Sequence, residues 1–474
     1  MTDVSARPED PPTSTTADTG AAGRTLAVAS GAAFIAFLDL SVVNIAFPTI
    51  ATTYPGTPTN TLTWIVSGYA VAFAALLTPA GRLADALGRR RLFALALAGF
   101  ALTSLLCGLA PGAGWLIAGR VLQGMTAAFM VPAALGLVLA ATPREKIGSA
   151  IGAWSAAGGF AAVVGPAVGG ALVESLGWRA VFLVNVPIAI ALIVPGLRLP
   201  VVDDTRRDSA LPDPVGILAV ALGLGAVIAA VTEGQSWGWT APGTLLALIG
   251  GTALVVFALV RSTRHPEPAV AVSLWRNRQF AFANAGSFLF GATMFAWLLA
   301  GPMFLDTLWG YSVLESAAAL TVGAVAAMVT SVLAGRITTP QGQRWAGVVG
   351  ALMYTAALVW MSTDAFGPDP ALWSAWVPAG LLGGGGIGIV ITVLGTAAAS
   401  SVPPQQFAAG IGMTVTARQG GGALGVAMLA AVFTAVPDDA VRAFHTLFTV
   451  CAVIGVAVAL LLAVPSHART ADQS

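Results

Sequence analysis

Apolar segments of about twenty residues recur along the chain, and they constrain its fold more than any other feature. A helix needs roughly 20 mainly apolar residues to cross a bilayer. Fourteen segments reach that length, at about 25–47, 61–80, 92–110, 114–140, 147–172, 178–197, 213–232, 242–261, 279–305, 312–335, 345–363, 372–398, 406–434 and 441–464. Because backbone polar groups inside a bilayer must bond within their own segment, the sequence predicts an all-α integral membrane protein with fourteen transmembrane helices.

Charge content excludes several other classes of protein. Only 9% of the 474 residues are charged, against about 25% in a soluble domain, so the chain cannot cover itself with a polar surface. The net charge of +1 argues against a nucleic-acid partner. Walker motifs are absent, and Cys107 and Cys451 both lie in apolar segments. We therefore expect no cofactor, no metal site and no direct use of ATP.

The basic residues are distributed unevenly between the two ends of the predicted helices. Eighteen of the 22 Lys and Arg residues fall on the side of residues 81–91. Arg179 and Arg442 fall on the opposite side, and Arg120 and Arg418 lie within helices. Loops rich in Lys and Arg stay in the cytoplasm. Since an even number of helices puts both termini on one side, we expect both termini of this cell-membrane protein to be cytoplasmic.

Residues 81–91, GRLADALGRRR, form a charged stretch between two predicted helices, with one acid between two glycines. The spacing resembles the loop between helices 2 and 3 of the major facilitator superfamily, although Ala86 stands where that family has a cation. The resemblance implies a conformational latch, in which an Asp–Arg contact forms in one state and breaks in another. The alternative is a basic loop that only sets topology. The latch candidates are Gly81, Asp85, Gly88, Arg89 and Arg90.

Two internal repeats indicate that the chain consists of two related halves. Residues 335–344 repeat the spacing of residues 81–90, with Thr339 in the place of the acid. A second repeat aligns glycines of the fifth and thirteenth predicted helices, Gly152 and Gly165 with Gly412 and Gly425. Repeated halves are typical of transporters that rock around a central site. The predicted division is a disordered tail at 1–24, a six-helix bundle at 25–200, a linker with two inserted helices at 201–278, a six-helix bundle at 279–465 and a tail at 466–474.

Two opposite charges lie at similar depth on antiparallel predicted helices. Asp39 is the acid deep within the first helix, and Arg120 lies on the fourth, with Gln123 following at i+3 on the same face. The stretch LDLSVVNIAFP, which includes Asn44, and the stretch around Arg120 both resemble signatures of the same superfamily. Because a nearby cation favours the charged form of a carboxylate and burial favours the neutral form, Asp39 is a candidate proton-coupling residue. The alternative is a static ion pair.

Helix five resembles the antiporter signature of the superfamily, with Ala161 in place of its middle glycine. The matching residues are Gly152, Gly165, Pro166, Gly169 and Gly170. Small residues let helices approach closely, and this packing alone is the alternative reading. Two further candidates are Asp306, near the end of the ninth helix, and Arg418, which could attract an anion or bond to backbone carbonyls.

The resemblance covers residues 25–465 and is closest to the fourteen-helix drug:proton antiporter branch. It implies a monomeric, proton-coupled efflux transporter in membrane lipid that exports small, largely apolar drugs or antibiotics by alternating access. An exporter dedicated to one natural product or metabolite is the alternative. A membrane-embedded enzyme would need Asp, Glu or His clustered at one depth, and three scattered histidines do not supply this.

Overall fold

The computed structural model describes residues 16–199 and 211–464, and this part of the chain is helical without any β-strand. The predicted all-α fold is thus confirmed. Residues 1–15, 200–210 and 465–474, which include parts of both predicted tails and of the linker, lie outside the described residues. The fourteen long helices are α1 (Thr16–Thr53), α2 (Trp64–Leu87), α3 (Arg89–Gly108), α4 (Ala113–Ala140), α5 (Ile147–Leu176), α6 (Asn185–Leu197), α7 (Pro214–Trp237), α8 (Pro242–Arg264), α9 (Arg278–Thr307), α10 (Val313–Gly335), α11 (Pro340–Met361), α12 (Val377–Ser400), α13 (Phe407–Ala435) and α14 (Ala440–Ala463).

Within the described ranges, thirteen helices are long and apolar enough to cross a membrane. The remaining long helix is α13, which has the length but carries Arg418, Gln419 and the run Gly420–Gly422 near its middle. Packing places α13 inside the bundle, against α9, α2 and α4. Its polar residues therefore face other helices, so we count it as the fourteenth membrane helix.

The loop predicted at residues 81–91 is much shorter in the structure. Helix α2 continues to Leu87 and α3 begins at Arg89, so Gly88 alone separates them. Gly88 has a φ of 95°, a conformation that side chains with a Cβ rarely adopt. Charged residues at helix ends lower the hydropathy of the segment without ending the helix. For a similar reason α1 begins at Thr16, upstream of the predicted start at residue 25.

The two halves have the same internal packing. In the first half α1 packs on α5, α2 on α4, and α3 on α4 and α6. In the second half α9 packs on α13, α10 on α12, and α11 on α12 and α14. These are the same pairs as in the first half, with each helix number raised by eight. The inserted helices α7 and α8 pack on each other, and α7 also contacts α2 and α13. The structure is thus two six-helix bundles with two inserted helices against one side.

The halves meet along two seams, α2 with α13 and α5 with α10. A Cβ on Gly81 would clash with the carbonyl of Ala408 at the first seam, and one on Gly152 would clash with the carbonyl of Ser331 at the second. Both contacts lie at the end of the bundle where α2 turns into α3, which we call the basic end. The glycines of the two sequence repeats therefore allow the backbones of opposite halves to touch there.

Candidate functional site

A buried hydrogen-bonded network surrounds Asp39 on α1. Arg120 Nη1 donates to Asp39 Oδ2 over 2.6 Å, and both side chains are 0% exposed. Gln123 Nε2 and Asn185 Nδ2 donate to the other carboxylate oxygen over 3.0 and 2.8 Å. The structure therefore brings Asp39, Arg120 and Gln123 together, as their matching depth and shared face predict, and adds Asn185 of α6.

Further contacts from α2 and from its own helix hold the Arg120 guanidinium in place. Its Nε donates to the Ile65 carbonyl of α2 over 2.8 Å, and its Nη1 also donates to Gln123 Oε1 over 2.7 Å. The guanidinium lies 4.3 Å from the centre of the Tyr69 ring, while Nη2 has no hydrogen-bond partner among the described residues. Arg120 thus keeps two acceptors besides Asp39, so its position does not depend on the carboxylate alone.

Sequence reasoning missed two members of this network. Ser104 of α3 accepts hydrogen bonds from Gln123 and Asn185, over 3.1 and 3.2 Å, and donates to the Phe182 carbonyl over 2.8 Å. An amide within an apolar segment is a signal that could have identified Asn185. A serine is common in such segments, so Ser104 carries no comparable signal.

Two predicted candidates lie outside the network. Asn44 is on α1 but is exposed, and Asp306 is exposed near the last residue of α9. Neither side chain hydrogen-bonds to the Asp39 network. The structure therefore separates both residues from the buried carboxylate.

A second site joins the two halves at the basic end. The Asp85 side chain, 4% exposed, accepts hydrogen bonds from the backbone N–H groups of Ala408 and Ala409, over 3.3 and 2.8 Å. Both donors lie in the first turn of α13, where N–H groups have no partner within the helix. Asp85 of one half therefore caps a helix of the other half, where the helix dipole also favours a negative charge.

Arg89 completes this cross-half contact. Its Nε donates to Asp85 Oδ1 over 2.7 Å, and its Nη2 donates to the Pro404 carbonyl just before α13. Arg90 instead donates to the Leu199 carbonyl over 2.9 Å, within its own half. Of the latch candidates, Gly81, Asp85 and Arg89 thus touch the opposite half, whereas Gly88 forms the turn and Arg90 anchors the end of α6.

The segment that follows α8 is bound to α2 next to the latch. Arg82 Nε donates to the Pro268 carbonyl over 3.0 Å, and its Nη2 lies 3.7 Å from Glu267 Oε2. Asp213, which caps α7, pairs with Arg261 of α8, and its backbone N–H donates to the Glu267 carbonyl. The hydrogen bond from Arg261 lowers the pKa of Asp213. These contacts tie the inserted helices to the end of α2 that carries Asp85.

The antiporter-signature glycines of α5 fall into two groups. Gly152 lies at the α5–α10 seam, whereas Gly165 and Gly169 face α1. A Cβ on Gly165 would clash with Ser41 Oγ, and one on Gly169 would lie 3.1 Å from Val42 Cα. Pro166 lies inside the helix, and a Cβ on Gly170 would meet no atom within 4 Å. The signature thus holds α5 against the helix that carries Asp39.

A narrow cleft lies between the halves, with a free volume of about 30 Å³. Arg418 of α13 lines it together with Trp154 of α5 and apolar residues of α4 and α12. Arg418 is half-buried and has no hydrogen bond or ion pair with any residue in 16–199 or 211–464. The backbone tie that the sequence left open is therefore not present among these residues. No group of three or more His, Cys, Asp or Glu side chains in the same ranges is placed to hold a metal ion.

The chain matches a known family over most of its length. The family model described as Major Facilitator Superfamily matches residues 29–215 and 202–426. The chain is 34% identical over 418 residues to a probable actinorhodin transporter of Streptomyces coelicolor, covering 86% of this chain and 72% of the relative. It is 37% identical over 415 residues to a puromycin resistance protein of Streptomyces alboniger, covering 86% and 81% respectively.

Solved structures with a similar fold have low sequence identity. A human organic anion transporter matches with a TM-score of 0.69 at 13% identity, covering 93% of this chain and 99% of that one. A proton:xylose symporter matches with a TM-score of 0.65 at 14% identity, covering 94% and 95%. At these identities the likeness is one of fold.

Proposed function

Because the chain belongs to the major facilitator superfamily, we propose that it is a proton-coupled efflux transporter that exports small, largely apolar drugs or antibiotics by alternating access. It is a multi-pass membrane transporter with small-molecule substrates and is not an enzyme. Two relatives are named for actinorhodin transport and puromycin resistance, which supports an antibiotic-like substrate for this chain. The observation that carries proton coupling is the fully buried Asp39–Arg120 pair.

The contacts of Asp39 support proton coupling. Three donors stabilise its charged form, and a proton on the carboxylate removes the charge that Arg120 faces. Arg120 then keeps the Ile65 carbonyl and Gln123 as hydrogen-bond acceptors when the pair separates. Protonation thereby loosens α1 from α4. Loss of the proton restores the contact.

Alternating access uses the seams at the basic end. We propose that this end faces the cytoplasm, because the basic residues gather there. Asp85 and Arg89 then hold the cytoplasmic side closed, which leaves the cleft to open toward the outside. We further propose that one chain in lipid carries out the cycle, with bundles at 25–200 and 279–465 moving about the linker 201–278.

Orientation is tested by labelling introduced cysteines with an impermeant thiol reagent in intact cells. Cysteine at Thr57, between α1 and α2, should be labelled from outside, and cysteine at Ser149 only after the cells are permeabilised. The native Cys107 and Cys451 are buried and give little background. The opposite pattern of labelling would overturn the proposed orientation.

Export is tested in everted membrane vesicles with an imposed pH gradient. We expect uptake of at least some apolar antibiotics from a panel of cations, anions and neutral compounds, and loss of uptake when the gradient is collapsed. Uptake of one panel member alone would favour a dedicated exporter. Uptake that does not depend on the pH gradient would contradict proton coupling.

A further inference from the structure

Three acidic residues are buried in the part of the chain that the structure describes, and one of them has no cation partner. Asp39 and Asp213 each pair with an arginine. Glu233 of α7, only 6% exposed, makes no ion pair with any other described residue. The Ser236 hydroxyl donates to its Oε2 over 3.0 Å but is shared with the Glu233 carbonyl oxygen, over 2.9 Å. A shared hydroxyl is weak compensation for a buried charge.

Glu233 lies one turn from the end of α7 that is remote from the basic end, which we call the far end. The helix ends at Trp237, about 6 Å further on. Trp237 stacks on Trp64 of α2, with ring centroids 6.1 Å apart, and Trp239 lies against Gly234. Because tryptophans gather at the level of the lipid headgroups, Glu233 lies just inside the hydrocarbon region.

The neighbouring helices offer Glu233 no cation. Helices α8, α2 and α13 pack on α7. The parts of these helices toward the far end contain no Lys, Arg, His, Asp or Glu, at residues 242–260, 64–81 and 419–435 respectively. Tyr69 is the titratable side chain within these three segments, and its ring faces Arg120. A proton is therefore the remaining means of neutralising the Glu233 carboxylate while it stays buried.

The far end of α7 also bridges the two halves. Gln235 Nε2 donates to Thr434 Oγ1 of α13 over 3.1 Å, whereas Trp237 stacks on α2. Helices α2 and α13 belong to opposite halves, so their far ends change separation in the proposed cycle. Glu233 and Trp237 are four residues apart and share a face of α7, which places Glu233 on the side that contacts α2. Release of this contact would open the carboxylate to water.

We propose that Glu233 is a second proton-binding site, and that its proton holds the far end of α7 across the seam between α2 and α13. With the proton bound, the neutral side chain stays buried and α7 stays docked on both halves. Without the proton, the charge favours contact with water, so α7 leaves one half and the two far ends can move. The inference rests on the proposed transport cycle and gives the inserted helices a role in it. Asp39 exchanges its proton on substrate binding, whereas Glu233 exchanges its proton when α7 docks or undocks.

Carbodiimide labelling tests whether Glu233 holds a proton. Dicyclohexylcarbodiimide is apolar and modifies protonated carboxyl groups in apolar surroundings, and mass spectrometry of the purified full-length protein locates the product. Glu174 is the matched acid, because it is exposed in the last turn of α5 at the same end of the bundle. Since a glutamate in water is almost fully ionised at about pH 7, we expect at least about ten-fold more modification of Glu233 than of Glu174. Equal or weaker modification of Glu233 would overturn the site.

Double electron–electron resonance between spin labels at Thr240 and Asp438 measures docking, because these exposed residues follow α7 and α13. In the wild type we expect a short distance at about pH 6 and an added longer distance at about pH 9, as deprotonation releases α7. Glu233→Gln is neutral at every pH and should keep the short distance throughout, whereas Glu174→Gln should respond as the wild type does.

A wild-type distance that ignores pH, or a pH response that survives Glu233→Gln, would overturn the proposal. If Glu233→Gln does not fold, the labelling and the pH response of the wild type still decide it. Neither measurement requires transport. Both expected results without any export in vesicles would therefore refute the export function and leave the proton site standing.

Discussion

Replacing Asp85 with Asn should shift the protein away from the conformation that is closed at the basic end. In that conformation the carboxylate accepts hydrogen bonds from Ala408 N, Ala409 N and Arg89. The Asn side chain is nearly the same size but neutral. It keeps one acceptor oxygen and presents an NH₂ group to the other donors.

The size of the shift follows from these contacts. Hydrogen bonds to charged groups contribute about 1.5–3 kcal/mol, against about 0.5–1.5 kcal/mol for neutral ones. The attraction between the carboxylate and the dipole at the N-terminus of α13, about 0.3–1 kcal/mol, is also lost. The two hydrogen bonds from Ala408 and Ala409 join opposite halves and exist only while the halves touch. We therefore expect the closed conformation to lose about 2 kcal/mol relative to the open one, roughly a thirty-fold change in the equilibrium.

Double electron–electron resonance between spin labels measures this equilibrium. Labels at Glu145 and Thr338 are exposed at the basic end on opposite halves, and the buried native cysteines can be replaced. Asp85→Asn should add a longer distance that is scarce in the wild type, and should slow transport of every substrate to a similar degree. Asp369→Asn, at an exposed acid, is the control. An unchanged distance distribution, or a changed substrate preference at an unchanged rate, would refute the reasoning.

Three further predictions follow from individual contacts. Gly81→Ala should populate the open conformation in the same resonance measurement, because its Cβ has no room at the seam, whereas Gly250→Ala, whose Cβ meets nothing within 4 Å, should not. Asp213→Asn should lower Tm by removing the ion pair with Arg261. Because the folded-state pKa of Asp213 is lowered, this Tm difference should be constant above about pH 5 and narrow below about pH 4, and a difference that grows in acid would contradict the pairing. Asn185→Leu should lower the free energy of unfolding by about 1.5–3 kcal/mol in detergent, since it removes a hydrogen bond to a buried charge, and an unchanged stability would contradict its place in the network.

Much of the fold could be predicted because helix length and hydropathy are properties of single segments. Repeated glycine spacings also predicted the equivalence of the halves, and the structure shows what Gly81 and Gly152 do at the seams. The end of α2 could not be placed, because the charges that follow Ala80 resemble a loop in hydropathy. A one-residue turn at Gly88 depends on backbone conformation, which composition does not report.

The site was only partly predictable for a different reason. Depth along a helix follows from residue count, so Asp39 and Arg120 could be matched. Which helices stand beside one another laterally does not follow from residue count, and Asn185 of α6 and Ser104 of α3 were therefore missed. The unpaired state of Arg418 is also a property of packing alone, since a sequence cannot show that a side chain lacks a partner.

The central claim is that Asp39 carries the transported proton. Proton release on substrate binding, followed with a pH-sensitive dye in weakly buffered detergent solution, tests it most directly, using the panel compound that vesicles export best. We predict substrate-linked release in the wild type and in Asp306→Asn. In Asp39→Asn we predict none, although the compound still binds. Proton release by Asp39→Asn, together with export against a gradient, would contradict the claim and place the coupling site elsewhere.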